Sequence, residues 1–205
     1  MMHVDQFSDL NETHRDVLLE LGNIGTGNAL TSLSQLTSNP IRMELPSIRI
    51  TDVESLPGII DCPGQANVGV VIDVHGDLDC VITFLLNEQF TKVIAEELTG
   101  EPLMDVTRMS EMQESAIREV GNIMCNAYLN ALASMLESEF AVSLPQLKLG
   151  TSKDILDTFS VEFKDDTPEI LFIENTFFYL DQAYVSYILL HPKFESLRRI
   201  LEKLT

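Results

Sequence analysis

The sequence predicts an α+β fold, internally duplicated about a pseudo-two-fold axis, with two equivalent long helices packed on β-sheet. Two observations carry this expectation. The order helix, strands, helix runs once and then restarts near residue 110. The chain also matches itself under a shift of 99 positions without a gap, as Glu20 meets Glu119, Gly22 meets Gly121, Asn23 meets Asn122 and Ile24 meets Ile123. The same shift brings Leu30 onto Leu129, Leu33 onto Leu132, Leu45 onto Leu144 and Pro46 onto Pro145. A single domain spanning residues 1–205 is expected, made of two repeats over about 10–100 and 109–205.

The first repeat opens with a helix from about Asn11 to Leu36. Advancing about 100° per residue from Asp16 places Val17, Leu21 and Ile24 in one sector and Leu18, Leu33 and Leu36 in the next, which together form a broad buried face. Glu20 and Asn23 fall within about 40° of the Asp16 direction, on the opposite face. The helix has to end by Asn39-Pro40, because proline disfavours helix in the residue before it. Ile41 to Thr51 reads as a strand and Pro57 to Gly64 as a loop. Val68 to Val74 and Leu78 to Leu86 are β-rich runs joined by His75-Gly76-Asp77, a hairpin signal. Asn87 is placed to cap a helix through Leu98, which stops at Thr99-Gly100-Glu101-Pro102.

The second repeat opens on Ser110-Glu-Met-Gln113, a capping box, and its helix runs to about Glu137. Strands are expected over Phe140–Leu149, Thr158–Phe163, Glu169–Leu180 and Ala183–Leu190, and a terminal helix over Phe194–Leu204.

Bulk properties narrow the function. With 45% hydrophobic and 22% charged residues the composition is that of an ordinary globular protein. No run of 18 apolar residues suggests a membrane span, and the N-terminus lacks the basic and apolar regions of a secretory signal, so a cytoplasmic protein without membrane insertion is expected. The net charge of −19 repels nucleic acid and suits a partner with a basic docking face, although charge of this kind also serves solubility alone. Cys62, Cys80 and Cys125 are too widely spaced for a metal site or a disulfide framework, and the four histidines form no cluster. Gly22, Gly25 and Gly27 lie inside a helix in the wrong order for a nucleotide loop, so close helix packing is the expected use.

The candidate site is the repeated polar face. The first copy reads Asp16-x-x-x-Glu20-x-x-Asn23, then 22 residues, then Pro46; the second reads Ser115-x-x-x-Glu119-x-x-Asn122, then 22 residues, then Pro145. A lone Glu-x-x-Asn is an ordinary solvated helix face. Its recurrence at one spacing, with a proline at one distance, is not. No lysine or arginine shares either face; Arg118 adjoins Glu119 but points about 100° away. Pro46 and Pro145 lie too far along the chain to join the helix face and are read as shaping the turn or strand beside it.

This pattern resembles the CheC family of bacterial chemotaxis phosphatases, with its CheX and FliY relatives. Glu20-Leu-Gly-Asn-Ile24 and Glu119-Val-Gly-Asn-Ile123 carry the resemblance, which spans nearly the whole chain. Single-site CheX relatives would not show both copies, and FliY carries an extra C-terminal domain for which little sequence follows the second repeat. The resemblance implies a hydrolase that removes the aspartyl-phosphate of the response regulator CheY. Asn23 and Asn122 would orient the attacking water, Glu20 and Glu119 would pair with a lysine of the docked regulator, and Asp16 and Ser115 would support the face or touch the partner. No metal or cofactor of the protein's own is implied; the Mg2+ would belong to the regulator. The alternatives are an adaptor that binds the receptor deamidase CheD, and a module associated with the flagellar switch.

Overall fold

The computed structural model describes residues 12–44, 46–60, 67–163 and 169–204. Helix ends follow from local sequence. Helix α1 spans Glu12–Ser34, ahead of Pro40. Helix α3, Glu88–Thr99, begins at Asn87, whose side chain accepts from the Phe90 amide, and ends on Gly100 at φ 72°, the left-handed conformation that glycine adopts without penalty. Helix α4, Glu111–Leu136, begins with the predicted box: Gln113 N donates to Ser110 Oγ, and Ser110 N donates back to Gln113 Oε1. Helix α6, Phe194–Leu204, closes the second repeat.

The strands are β1 (Arg42–Met43), β2 (Ser47–Asp52), β3 (Asn67–Gly76), β4 (Cys80–Asn87), β5 (Phe140–Val142), β6 (Gln146–Gly150), β7 (Glu169–Tyr179) and β8 (Gln182–Pro192). All the described pairings are antiparallel, and the sheet runs β1-β7-β8-β4-β3-β5, with β2 also on β7 and β6 also on β3. The centre is the β4/β8 pair, one strand from each repeat, in which Phe84 faces Ile188. The edges are exchanged. Strands β1 and β2 of the first repeat pair with β7 of the second, and β5 and β6 of the second pair with β3 of the first. Phe90 of α3 likewise stacks on Phe177 of β7 across the repeats, ring centroids 5.2 Å apart.

Pro46 and Pro145 each stand in a break of an edge strand, immediately before β2 and β6. Met43 faces Phe177 and Ser47 faces Glu174, so four steps on one strand oppose three on the other. Val142 faces Val74 and Gln146 faces Val71, the same one-residue slip in the second repeat. Proline has no N–H for the ladder, and a bulge is where a sheet tolerates that loss.

Both faces of the sheet are covered. Cys80, Ile82, Phe84 and Leu86 point to the larger core beneath α1, α3 and α4, while Val81 and Leu85 point to a second core. That second core is covered by helix α2, Leu56–Ile60, and helix α5, Ser152–Phe163. These two equivalent elements correct two expectations. Residues 57–60 are helical rather than loop, since Pro57 sits in a first turn where its missing N–H costs nothing, and the rest of the expected loop, from residue 61, lies outside the described residues. Residues 158–163 are helical rather than strand. Thr151 N and Oγ1 both donate to Asp154 Oδ2 while Asp154 N donates to Thr151 Oγ1, a reciprocal cap that starts the helix before the alternating run begins. The expected strand over residues 41–51 is split into β1 and β2, and that over residues 140–149 into β5 and β6.

Candidate functional site

The two long helices lie side by side on the sheet, and their sequence equivalence is matched by equivalent packing. The glycine between glutamate and asparagine turns inward in each. A β-carbon on Gly22 would stand 2.2 Å from Ile48 Cδ1 and 3.7 Å from Ile173 Cδ1; one on Gly121 would stand 2.3 Å from Val70 Cγ1. The close approach of helix to sheet therefore depends on glycine at the position that points down. It leaves Glu20 and Asn23, and Glu119 and Asn122, pointing away from the sheet: three are exposed and Asn122 is half-buried. Asp16 and Ser115, one turn earlier, are exposed as well.

Helix α1 meets helix α4 through Tyr128. Its ring fills the space over Gly25, where a β-carbon would come 2.5 Å from Cδ1, and its hydroxyl hydrogen-bonds Thr26 Oγ1 and donates to the Gly22 carbonyl at 3.3 Å. Burial pushes the phenol well above its ordinary pKa. Close packing thus explains Gly22 and Gly25. Gly27 has open space around it and is not used that way. The buried face of α1 is also narrower than expected, since Ile24 is 36% exposed, and Leu36, expected in the helix, lies beyond its end and is 39% exposed.

The chemistry on offer is limited. Arg118, the cation nearest Glu119 in sequence, is held by Glu114 at 2.8 Å, one turn back on the same helix. In the first copy Leu19 occupies the equivalent position, 38% exposed. Among the described residues neither Glu20 nor Glu119 has an ion-pair partner, so both carboxylates are open to a cation brought from outside. Cys80 and Cys125 are buried free thiols; burial raises both, Cys125 to about 12, which removes them as nucleophiles. Each site therefore presents a neutral amide and a carboxylate to solvent.

The copies differ at one point that sequence reasoning passed over. Asn126 Nδ2 donates to the Asn122 carbonyl at 2.8 Å and to Asn122 Oδ1 at 3.0 Å. The spacing of four residues was the available signal, since it stacks two side chains on one helix face. The first copy has Gly27 there.

An outward Glu/Asn pair on each of two packed helices, over a sheet with exchanged edges, defines an α+β protein of CheC-like fold with two candidate sites. The comparisons with known proteins agree. The model of the CheC-like family matches residues 14–49 and that of the chemotaxis phosphatase CheX matches residues 68–163, so that each takes in one complete copy of the motif. The CheY-P phosphatase CheC of Bacillus subtilis is 27% identical over 207 residues, covering 95% of either chain. In structure, the Thermotoga maritima FliY crystal structure superposes with a TM-score of 0.74 at 19% identity, over 95% of this chain and 97% of that one. The middle domain of H. pylori FliM gives a TM-score of 0.71 at 9% identity over 95% of this chain and 99% of that one, a likeness of fold alone. Over the two matched segments the chain is similar to the CheC-like and CheX families, and its fold is that of the CheC-like and FliY structures.

Proposed function

We propose that this protein hydrolyses the aspartyl-phosphate of a CheY-type response regulator, with Asn23 and Asn122 each orienting the water that attacks phosphorus. The observation that carries the reading is the pair of outward amides, each one turn from an outward carboxylate and each set by a buried glycine. The relative named as a CheY-P phosphatase spans nearly all of the chain and supports it.

An acyl phosphate is labile, so a catalyst gains most by holding a water in line. The water oxygen bonds to phosphorus as the bond from phosphorus to the aspartyl oxygen breaks. The regulator regains its carboxylate, and the water's protons pass to the released phosphate and to solvent. An amide suits the position because its carbonyl oxygen accepts a hydrogen bond from water while adding no negative charge beside the phosphoryl group. Glu20 and Glu119 pair with a lysine of the docked regulator and fix its approach, while Asp16 and Ser115 border that contact. The regulator supplies its own Mg2+, which offsets phosphoryl charge. The surface charge of −19 favours a partner with a basic face.

The test is to mix the protein with phosphorylated regulator and follow phosphate loss. Acceleration supports the reading, and small phosphate esters are left intact. An unchanged phosphoryl lifetime contradicts it and favours a binding module, of which a CheD-type deamidase partner is the form to test.

A further inference from the structure

The two sites share a glutamate and an asparagine at identical spacing and differ at the first position, Asp16 against Ser115, yet their asparagines stand in different surroundings. Asn23 is exposed, and the residue one turn on is Gly27, with nothing within 4 Å of where a β-carbon would lie. Asn122 is half-buried, and the residue one turn on is Asn126, also half-buried. The Asn126 amide is fixed by two acceptors. A backbone carbonyl can only accept, so the group 2.8 Å from the Asn122 carbonyl has to be the Asn126 nitrogen. That same nitrogen stands 3.0 Å from the Asn122 amide group, and only the amide oxygen can accept from it. Asn126 therefore dictates which end of Asn122 faces along the helix. One lone pair of Asn122 Oδ1 is engaged, and the other stays free for water.

We propose that Asn126 is a positioning residue that pre-orders the Asn122 amide, and that Gly27 leaves Asn23 without such support, so that the second site turns over faster than the first. The proposal rests on the aspartyl-phosphatase reading above. Immobilising one flexible side chain on binding carries a free-energy cost that corresponds to about a two- to tenfold change in rate. The second site has met that cost before the regulator docks. The effect falls on kcat, because docking is set by Glu119 and its surroundings and the amide acts on the water.

The experiment uses the full chain with one site silenced at a time. Asn23→Ala reports the second site and Asn122→Ala the first, with magnesium-loaded phosphorylated regulator as substrate. The second site is expected to show the larger kcat. Adding Asn126→Ala lowers second-site kcat about two- to tenfold with KM unchanged. Asn126→Asp lowers it further, because a carboxylate cannot donate and repels Oδ1. Gly27→Asn raises first-site kcat in the Asn122→Ala background. Side-chain 15N relaxation gives a readout apart from activity: Asn122 is more ordered than Asn23, and the difference disappears in Asn126→Ala. Equal order of the two amides, or unchanged second-site kcat in both Asn126 variants of an active parent, overturns the positioning role alone. Failure of the unsubstituted chain to hydrolyse the regulator overturns the function, and the kinetic part of the proposal with it.

Discussion

Val70 of β3 lies directly against Gly121 of α4, so that a β-carbon on the glycine would fall 2.3 Å from Val70 Cγ1 and 2.8 Å from its Cβ. The equivalent contact in the first repeat is softer. The atom nearest Gly22 is Ile48 Cδ1, the far end of a side chain that can rotate away. The same glycine thus seats each site helix on the sheet, but against neighbours of different stiffness.

The expected consequence is unequal tolerance of alanine. A β-branched valine cannot turn aside cheaply, so Gly121→Ala overpacks the contact at a cost of about 1–3 kcal/mol, partly offset by the roughly 1 kcal/mol that alanine gains in a helix. A net loss of up to about 2 kcal/mol is expected for Gly121→Ala and close to none for Gly22→Ala. Urea unfolding followed by circular dichroism measures both. Equal stability of the two variants would contradict the packing account.

Tyr128 joins the two site helices, and its hydroxyl is the partner of Thr26, which is 1% exposed. Tyr128→Phe removes that partner and is expected to cost about 1–2 kcal/mol. The phenol pKa is raised by burial, so in the folded protein the proton is held to higher pH than in the unfolded chain. Its contribution to stability is therefore whole below the ordinary value of 10 and declines as pH rises above it, because the unfolded chain releases the proton first. Burial raises Tyr179 and Tyr184 as well, so ultraviolet titration of the native protein should show Tyr128 among several late-titrating tyrosines, and Tyr128→Phe should remove one late-titrating group while leaving the number of early-titrating ones unchanged.

The cap of α5 gives an acid-side prediction. The Thr151 hydroxyl, and next its backbone amide, hold the Asp154 carboxyl below the ordinary 3.8. A depressed native pKa makes the contribution present above that ordinary value and lost as pH falls through the native one. The carboxyl carbon shift of Asp154 should titrate below 3.8, and Thr151→Val should move the transition upward. A transition unaffected by Thr151→Val would contradict the cap.

Much of this architecture was legible because the sequence repeats its punctuation. Asn87, Gly100 and the Ser110/Gln113 box mark ends that depend on a few local hydrogen bonds, and each appears where those residues stand. The layer of α2 and α5 was not legible. Pro57 reads as a loop signal unless its place in the first turn is known, and residues 158–163 read as a strand unless the Thr151/Asp154 cap that starts the helix upstream is known. The exchanged edges are a long-range choice of partner, which no local pattern encodes. At the site, the outward placement of Glu20, Asn23, Glu119 and Asn122 follows from helical period alone. The hold of Asn126 on Asn122 required the observed side-chain geometry, although the four-residue spacing pointed to it.

The central claim is that the asparagines act on the water at two sites. It is tested most directly by the rate of phosphate loss from a phosphorylated CheY-type regulator with Asn23→Ala, Asn122→Ala and the double variant, each shown to be folded. Each single variant should lose part of the acceleration, and the double variant should fall by about 10²-fold or to the regulator's own rate. A folded double variant as active as the unsubstituted protein would contradict the account.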